Sequence, residues 1–242
     1  MDPFQRFGID HLSARSLNMY AEEPAYWSFV YLHGYKDSAG PKAWRGSAVE
    51  AGVDIWLYKR DAQEALAAAH RRFEEEALGD LTDYVDAERI SIGNYLGEAF
   101  KALKGYSEPN TRQLKIEHYF EGIEVPLIGY TDYEWADEGI DLKTVKRMPS
   151  VMPPYHCRQL SLYSVARKKP YRGLYVTEKK SEVKEVGDAH AHVQRLEWYA
   201  HSIRRLLSVF PDKHDASRIF APNFDSFYWS SDSVALAQEI WS

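Results

Sequence analysis

Cysteine is almost missing from this chain: Cys157 stands alone in 242 residues. That excludes an internal disulfide and any cysteine-built zinc or iron–sulfur framework. An uninterrupted apolar run of membrane-spanning length is also missing. The opening "MDPFQRFGIDHLSARS" has neither the basic end nor the apolar core of a signal peptide. The expectation is therefore a cytoplasmic protein with no membrane contact. No repeat, low-complexity tract or Gly/Ser linker divides the chain, so residues 1–242 are expected to form one domain. Walker loops, dinucleotide fingerprints and G-x-S-x-G elbows do not occur. His156 beside Cys157 lacks the acid and oxyanion signature of thiol catalysis, so packing is the expected role of that cysteine. His190 and His192, two apart on a helix, face different ways and are expected at the surface.

What is present is ordinary in amount, with 45% hydrophobic and 27% charged residues, but uneven in placement. Residues 141–184 hold 11 Lys or Arg against 3 acids, a local excess of +8 in a chain of net charge −6. An acidic protein with one basic segment suggests a polyanion contact confined to that segment.

The pattern along the chain predicts an α/β fold with a central mixed sheet and an antiparallel meander, flanked by helices. Residues 1–110 read as helical. "SARSLNMYAEEPAYWSFVYLHG" is broken at Pro24. "PKAWRGSAVEAGVDIWLYKRDAQEALAAAHRRFEEEALG" is long enough for one helix or two, and "ERISIGNYLGEAFKALKG" follows. The texture then turns β-branched and aromatic in "QLKIEHYFE", "IEVPLIGYTDYEW" and "IDLKTV", which read as three antiparallel strands. "PPYHCRQLSLYSVARK" returns to helical spacing and "GLYVTEKKSEVKEV" reads as a strand or hairpin. "AHAHVQRLEWYAHSIRRLLSVF" is a long helix, and a short helix closes the tail.

Within the meander, Asp141 and Lys143 share one strand face because the side-chain period is two. Asp132 on the preceding strand can sit beside Asp141 across the pair. Two carboxylates within about 4–6 Å repel each other and favour a divalent cation or a shared proton. Oxygen ligands suit Mg²⁺ or Mn²⁺, which also grip phosphate oxygens. A neighbouring ammonium then orients water and stabilises charge gathering on phosphate. The bland alternative is a salt-bridged hairpin at a sheet edge. Glu50 lies on the helical stripe Gly46, Val49, Glu50, Val53, Leu57, where Gly46 would allow close approach. Burying that carboxylate unpaired costs on the order of several kcal/mol, so it calls for a cation: a metal held by the two aspartates, or an Arg or Lys. Gln159 and Tyr163, four apart on the next helix, place a neutral donor–acceptor on one face, suited to holding Lys143, a water or a phosphate. Trp44, Tyr130, Tyr133 and Trp135 are candidates for stacking on bases.

Arg-Gly-x-x-x-Glu on a helix, Gly-x-x-Asp on a strand, Asp-Leu-Lys-Thr on the next and Gln-x-x-x-Tyr on a helix together resemble the PD-(D/E)XK nuclease superfamily. The ordered set, residues 45–163, is most similar to its RecB-type and lambda-type phage exonuclease branch, and "LSARSLNMY" resembles the opening helix of RecB-type domains. The resemblance implies a restriction-endonuclease-like core over residues 111–242 plus the helix carrying Glu50. It implies Asp132, Asp141, Glu50 and the backbone carbonyl of Leu142 as ligands of one or two Mg²⁺ or Mn²⁺ ions, and Lys143 as the catalytic lysine. Gln159 and Tyr163 would form the supporting helix motif. Arg45 would bind a terminal phosphate, and Lys146, Arg147 and Arg158 the DNA backbone. Implied too are exonuclease action on DNA ends in phage-type recombination or repair, a host-cell cytoplasmic setting and a single-strand annealing protein as partner. Thr131 stands where Pro is usual, Glu50 where RecB-type domains carry His, and the iron–sulfur cluster of some relatives has no cysteines here. A non-catalytic nucleic-acid-binding module and a structure-specific endonuclease are the alternatives.

Overall fold

A computed structural model describes residues 2–36, 39–80 and 82–242. The first helices, α1 (Pro3–Arg6), α2 (Ala14–Glu22) and α3 (Pro24–Tyr31), are punctuated by their caps. Ser13 and Ser16 form a reciprocal capping box at the start of α2, and Pro24 occupies the first turn of α3, where no N–H is needed. The long Ala-rich stretch divides into α4 (Pro41–Lys59) and α5 (Ala62–Ala77). Arg60 turns left-handed at φ 59° and the Asp61 carboxylate accepts from the N–H groups of Gln63 and Glu64, so one helix ends and another begins within two residues. Next come α6 (Asp83–Leu103), β1 (Thr111–His118), β2 (Leu127–Glu134), β3 (Gly139–Thr144), α7 (Pro154–Arg167), β4 (Tyr171–Val176) and β5 (Ser181–Glu185). The chain closes with α8 (Ala189–Val209), α9 (Lys213–Arg218) and α10 (Ser231–Trp241).

Among the described residues five strands form one mixed sheet in the order β1-β2-β3-β4-β5. β1, β2 and β3 make the antiparallel meander, β3 and β4 run parallel across the α7 crossover, and β5 returns as a hairpin on β4. Period two then sorts the side chains onto the two faces. Tyr133, Ile140, Leu174 and Val176 pack with Val49, Val53 and Ile92 beneath α4, α5 and α6. Tyr171 and Tyr175 pack on the other face with Leu160, Leu17 and Leu196 from α7, α2 and α8. Asp141 and Lys143, out of phase with Ile140 and Leu142, therefore belong to the α7 face.

One expectation about glycine changes. Gly46 meets only Thr144 Oγ1, at an ordinary 3.5 Å, so it is not the point of closest helix approach. That point is Gly52, where an added Cβ would lie 2.6 Å from a methyl of Leu96. Gly129 on β2 is a further close approach: its missing side chain leaves room for the ring of Tyr163, 2.6 Å from where a Cβ would stand. No helix among the described residues is long and apolar enough to cross a membrane.

Candidate active site

The ladder between β2 and β3 is short. It pairs Glu134 with Gly139 and Tyr133 with Ile140, and the next positions, Asp132 and Asp141, stand where the two strands part. Leu142 N–H faces that opening and would lack a strand partner; Asp132 Oδ2 accepts it at 2.7 Å. In a strand the N–H and C=O of one residue point to the same side, so the Leu142 carbonyl faces the opening as well. On the other flank of Asp132, β1 is interrupted. Arg112 and Leu114 pair with Tyr133 and Thr131, while Gln113 between them turns to φ 48°, unusual for a residue with a side chain. Gln113 Nε2 donates to Glu50 Oε1. A local strain thus sits beside the acids, as backbone outliers tend to do at functional positions.

The electrostatics of this opening are those of crowded carboxylates. Asp132 is held well above the usual carboxylate range, first by desolvation and then by the negative charges of Asp141 and Glu50. Glu50 is also raised, by burial, by Asp54 one turn along α4 and by Asp141, against the help of the Gln113 amide. Asp54 is itself raised by burial and bonded to the hydroxyl of Tyr133, which also donates to the Glu50 carbonyl at 3.3 Å. Glu50 reaches the aspartates from the α4 face of the sheet, so the strand opening is where the two faces communicate.

One cation answers these acids. Lys143 Nζ lies 2.5 Å from Asp141 Oδ2, with the Asp141 side chain 2% exposed. Burial works against the ammonium, but Asp141 and Asp132 outweigh it and hold Lys143 above its ordinary range. It is therefore a fixed positive charge at neutral pH. Nζ also donates to Gln159 Oε1 at 3.2 Å, and Gln159 Nε2 donates to the Tyr163 hydroxyl at 2.8 Å. Burial pushes Tyr163 up to about 12, so that hydroxyl stays protonated. The chain Tyr163–Gln159–Lys143–Asp141 fixes the ammonium from two directions, and it sits in an interior strand rather than at a sheet edge.

Among the described residues no group of three or more His, Cys, Asp or Glu side chains is placed to hold a metal ion. The reason is visible in the partners: Leu142 N–H holds Asp132, Gln113 holds Glu50 and Lys143 holds Asp141. What faces the opening is a pair of mutually repelling carboxylates plus a backbone oxygen. A hard cation that keeps several waters fits that set, since it needs only one or two carboxylates from the protein and relieves their repulsion.

Six of the residues singled out in the sequence thus come together: Glu50, Asp132, Asp141, Lys143, Gln159 and Tyr163. Arg45 and Arg158 do not join them. Arg45 is 4% exposed, paired with Glu88 and stacked over Tyr95 with its guanidinium carbon 4.3 Å from the ring centroid. It fastens α4 to α6 and offers nothing to a terminal phosphate. Arg158 is buried between Asn18, Glu22 and the ring of Tyr199. The basic segment is largely neutralised in the same way: Arg167 and Lys169 meet Glu134, Arg172 meets Glu138 and Lys184 meets Glu182. Lys146, Arg147, Lys179 and Lys180 remain exposed just beyond β3 and at the β4–β5 turn, where Lys146, Lys179 and Lys180 line a recess of 370 Å³. Tyr133 and Trp135 are core, Trp44 packs edge-on against Phe73, and Tyr130 is 53% exposed. Asp54 and Gln113 escaped the sequence reading. Asp54 carried a usable signal, an acid four residues from Glu50; Gln113 carried none, because its role depends on a break in β1.

No protein-family model matches the chain, and no curated protein does. Among solved structures, one from Eubacterium rectale named "Putative exonuclease" is similar over 84% of this chain and 84% of that one, with a TM-score of 0.62 at 14% identity. A second, SSO0001, covers 74% of this chain and 84% of its own at 15% identity with a TM-score of 0.36, too low to bear on architecture. The first likeness establishes the fold: a five-stranded mixed sheet flanked by helices, similar to the Eubacterium rectale protein. Fold likeness alone does not carry an activity.

Proposed function

We propose that this chain is a divalent-metal-dependent deoxyribonuclease of the PD-(D/E)XK type that degrades DNA from an end. The observation that carries this reading is the pair Asp132 and Asp141, crowded at the mouth of β2 and β3 with Lys143 locked beside them. The fold shared with the Eubacterium rectale protein agrees with it.

Asp132, Asp141 and the Leu142 carbonyl would hold Mg²⁺ or Mn²⁺, with Glu50 completing the set directly or through water. The ion would supply a water activated for attack and a Lewis acid for the phosphate oxygens. Lys143, a permanent ammonium here, stabilises the negative charge that accumulates on the phosphate rather than removing a proton. Gln159 positions Lys143 and Tyr163 positions Gln159, so both act through the lysine. Water adds to phosphorus as the 3′-oxygen leaves, giving 5′-phosphate and 3′-hydroxyl ends. Lys146, Arg147, Lys179 and Lys180 would meet backbone phosphates, so binding should weaken steeply with salt.

End-labelled linear duplex incubated with Mg²⁺, beside a closed circular control, tests the proposal. Loss of label from the linear substrate with the circle intact is expected; equal nicking of the circle would reassign the chain as an endonuclease. A second reading, a nucleic-acid-binding module that kept this fold, draws on the Lys143–Asp141 pair, which already neutralises one acid without an ion. Calorimetric titration with Mn²⁺ separates them: a catalytic site binds the ion and loses it in Asp132→Ala, whereas a binding module shows no such heat.

A further inference from the structure

Beside the acids, on the far side of Gln159, lies a recess of 550 Å³ between α2, the start of α7 and residues 227–228 of the tail. That volume is within the range of small-ligand sites, about 300–1,000 Å³. Its walls are aromatic and open. Phe227 is 89% exposed and stacks on Tyr228 with centroids 4.2 Å apart and planes 29° apart; Tyr155, 42% exposed, faces the same space beside His156. The hydroxyl of Tyr228 donates to Glu22 at 2.7 Å, which fixes the stacked pair to α2. Burial, and then the charge of Lys143, push His156 down to about 3, so the ring lining the wall is neutral, and its Nδ1 lies 2.5 Å from the Tyr175 hydroxyl. Arg15, exposed on α2, adds a cation at the rim.

We infer that this recess seats a single unpaired nucleotide at the end of the strand being cut, with its base on the Tyr155 and Phe227–Tyr228 faces. Three features select that occupant. Gln159 lines the recess and is one hydrogen bond from Lys143, so a strand whose phosphate reaches the ammonium continues into it. Neutral aromatic faces bind any base by stacking and ask for no sequence. Arg15 complements the phosphate of the same nucleotide. A recess of this size admits one unpaired nucleotide and excludes a duplex, so the end must fray before it enters. The inference rests on the nuclease reading of the neighbouring acids and adds to it a requirement for an unpaired end.

The test uses the full chain in EDTA, so that no cutting occurs. The probe is a short single-stranded oligodeoxynucleotide carrying 2-aminopurine at one end and an anisotropy dye at the other, made in both polarities. Quenching of the terminal 2-aminopurine in one polarity is expected. Phe227→Ala and Tyr155→Ala, both surface changes, should abolish the quenching and weaken binding about tenfold each. Trp198→Ala, an exposed aromatic on α8 outside the recess, should change neither. Binding by anisotropy with no terminal quenching, or quenching that survives both substitutions, overturns the nucleotide seat and leaves the nuclease reading standing. No binding of the oligonucleotide in EDTA, together with no loss of end label from the linear duplex in Mg²⁺, overturns both.

Discussion

Asp132 and Glu134 are two residues apart on β2 and share a strand face, yet their surroundings are opposites. Glu134 is 3% exposed and satisfied: Arg167 donates twice at 2.8 and 2.9 Å, Lys169 at 2.9 Å and the Tyr171 hydroxyl at 2.5 Å. Those donors, Arg167 foremost, hold it down to about 2. Asp132 meets one backbone N–H and two other acids, and is held up. Where β2 is still laddered to β3, a buried carboxylate is used to build. Where the strands part, carboxylates are gathered against their own repulsion, a cost that the cation of the proposed function would relieve. Charge that is fully paired here builds structure; charge left in conflict beside the strand opening is what the proposed chemistry would use.

Activity offers the largest contrast. Asp141→Ala and Lys143→Ala should each lower Mg²⁺-dependent cleavage on the order of a hundred- to a thousand-fold, with the circular dichroism spectrum preserved. Cleavage by both variants at the native rate would end the assignment of the acidic end as the active one. Stability offers the mirror image. Glu134→Ala strands Arg167, Lys169 and the Tyr171 hydroxyl, so unfolding should become easier by about 3–5 kcal/mol, a Tm lower by roughly 10 °C. Thermal denaturation of the two alanine variants side by side should show Glu134→Ala below Asp141→Ala, because Lys143 keeps the nearby charge of Asp132 when Asp141 is removed.

The two carboxyls should also respond to pH with opposite sign. Glu134, depressed in the fold, contributes stability that is complete above its unfolded value near 4.5 and is lost as pH falls toward about 2. Asp132, raised in the fold, binds its proton more tightly there than in the unfolded chain. Its contribution therefore declines as pH rises above 3.8 and through its raised value. Asp132→Asn should accordingly gain on the native protein as pH increases, and should abolish any rise in Tm on adding Mn²⁺. A Tm difference independent of pH would show that Asp132 carries no such strain. The smallest effect belongs to the positioning chain. Gln159→Ala should reduce kcat about ten- to a hundred-fold with little change in KM, and Tyr163→Phe less, because each acts only through the orientation of Lys143.

Much of this was legible residue by residue. Pro24 divides helices for a reason intrinsic to that residue, whereas the Arg60-Asp61 break fell unmarked inside a stretch that read as one helix or two; alternation in "GIDLKT" puts Asp141 and Lys143 on one face whatever surrounds them. The i, i+4 relation of Gln159 and Tyr163 was equally local. The basic segment was not legible. Eleven cations in residues 141–184 suggested a polyanion face, yet Arg158, Arg167, Lys169, Arg172 and Lys184 are met by acids, three of them on other elements and drawn from α2 and the β2–β3 region. Counting charge along a chain cannot see partners that come from elsewhere. Arg45 was assigned to a phosphate for the same cause, since its partner Glu88 lies 43 positions away.

Periodicity and punctuation were written in the residues themselves: which stretches coil, which extend, and which side chains share a face follow from backbone geometry within a few residues. Tertiary structure alone decided which acids conflict and which are paired. It parted β2 from β3 after Tyr133 and Ile140, turned Gln113 toward Glu50 and brought Gln159 to Lys143. Interactions between charges depend on distance through space and on burial, and neither exists until the helices have closed over the sheet.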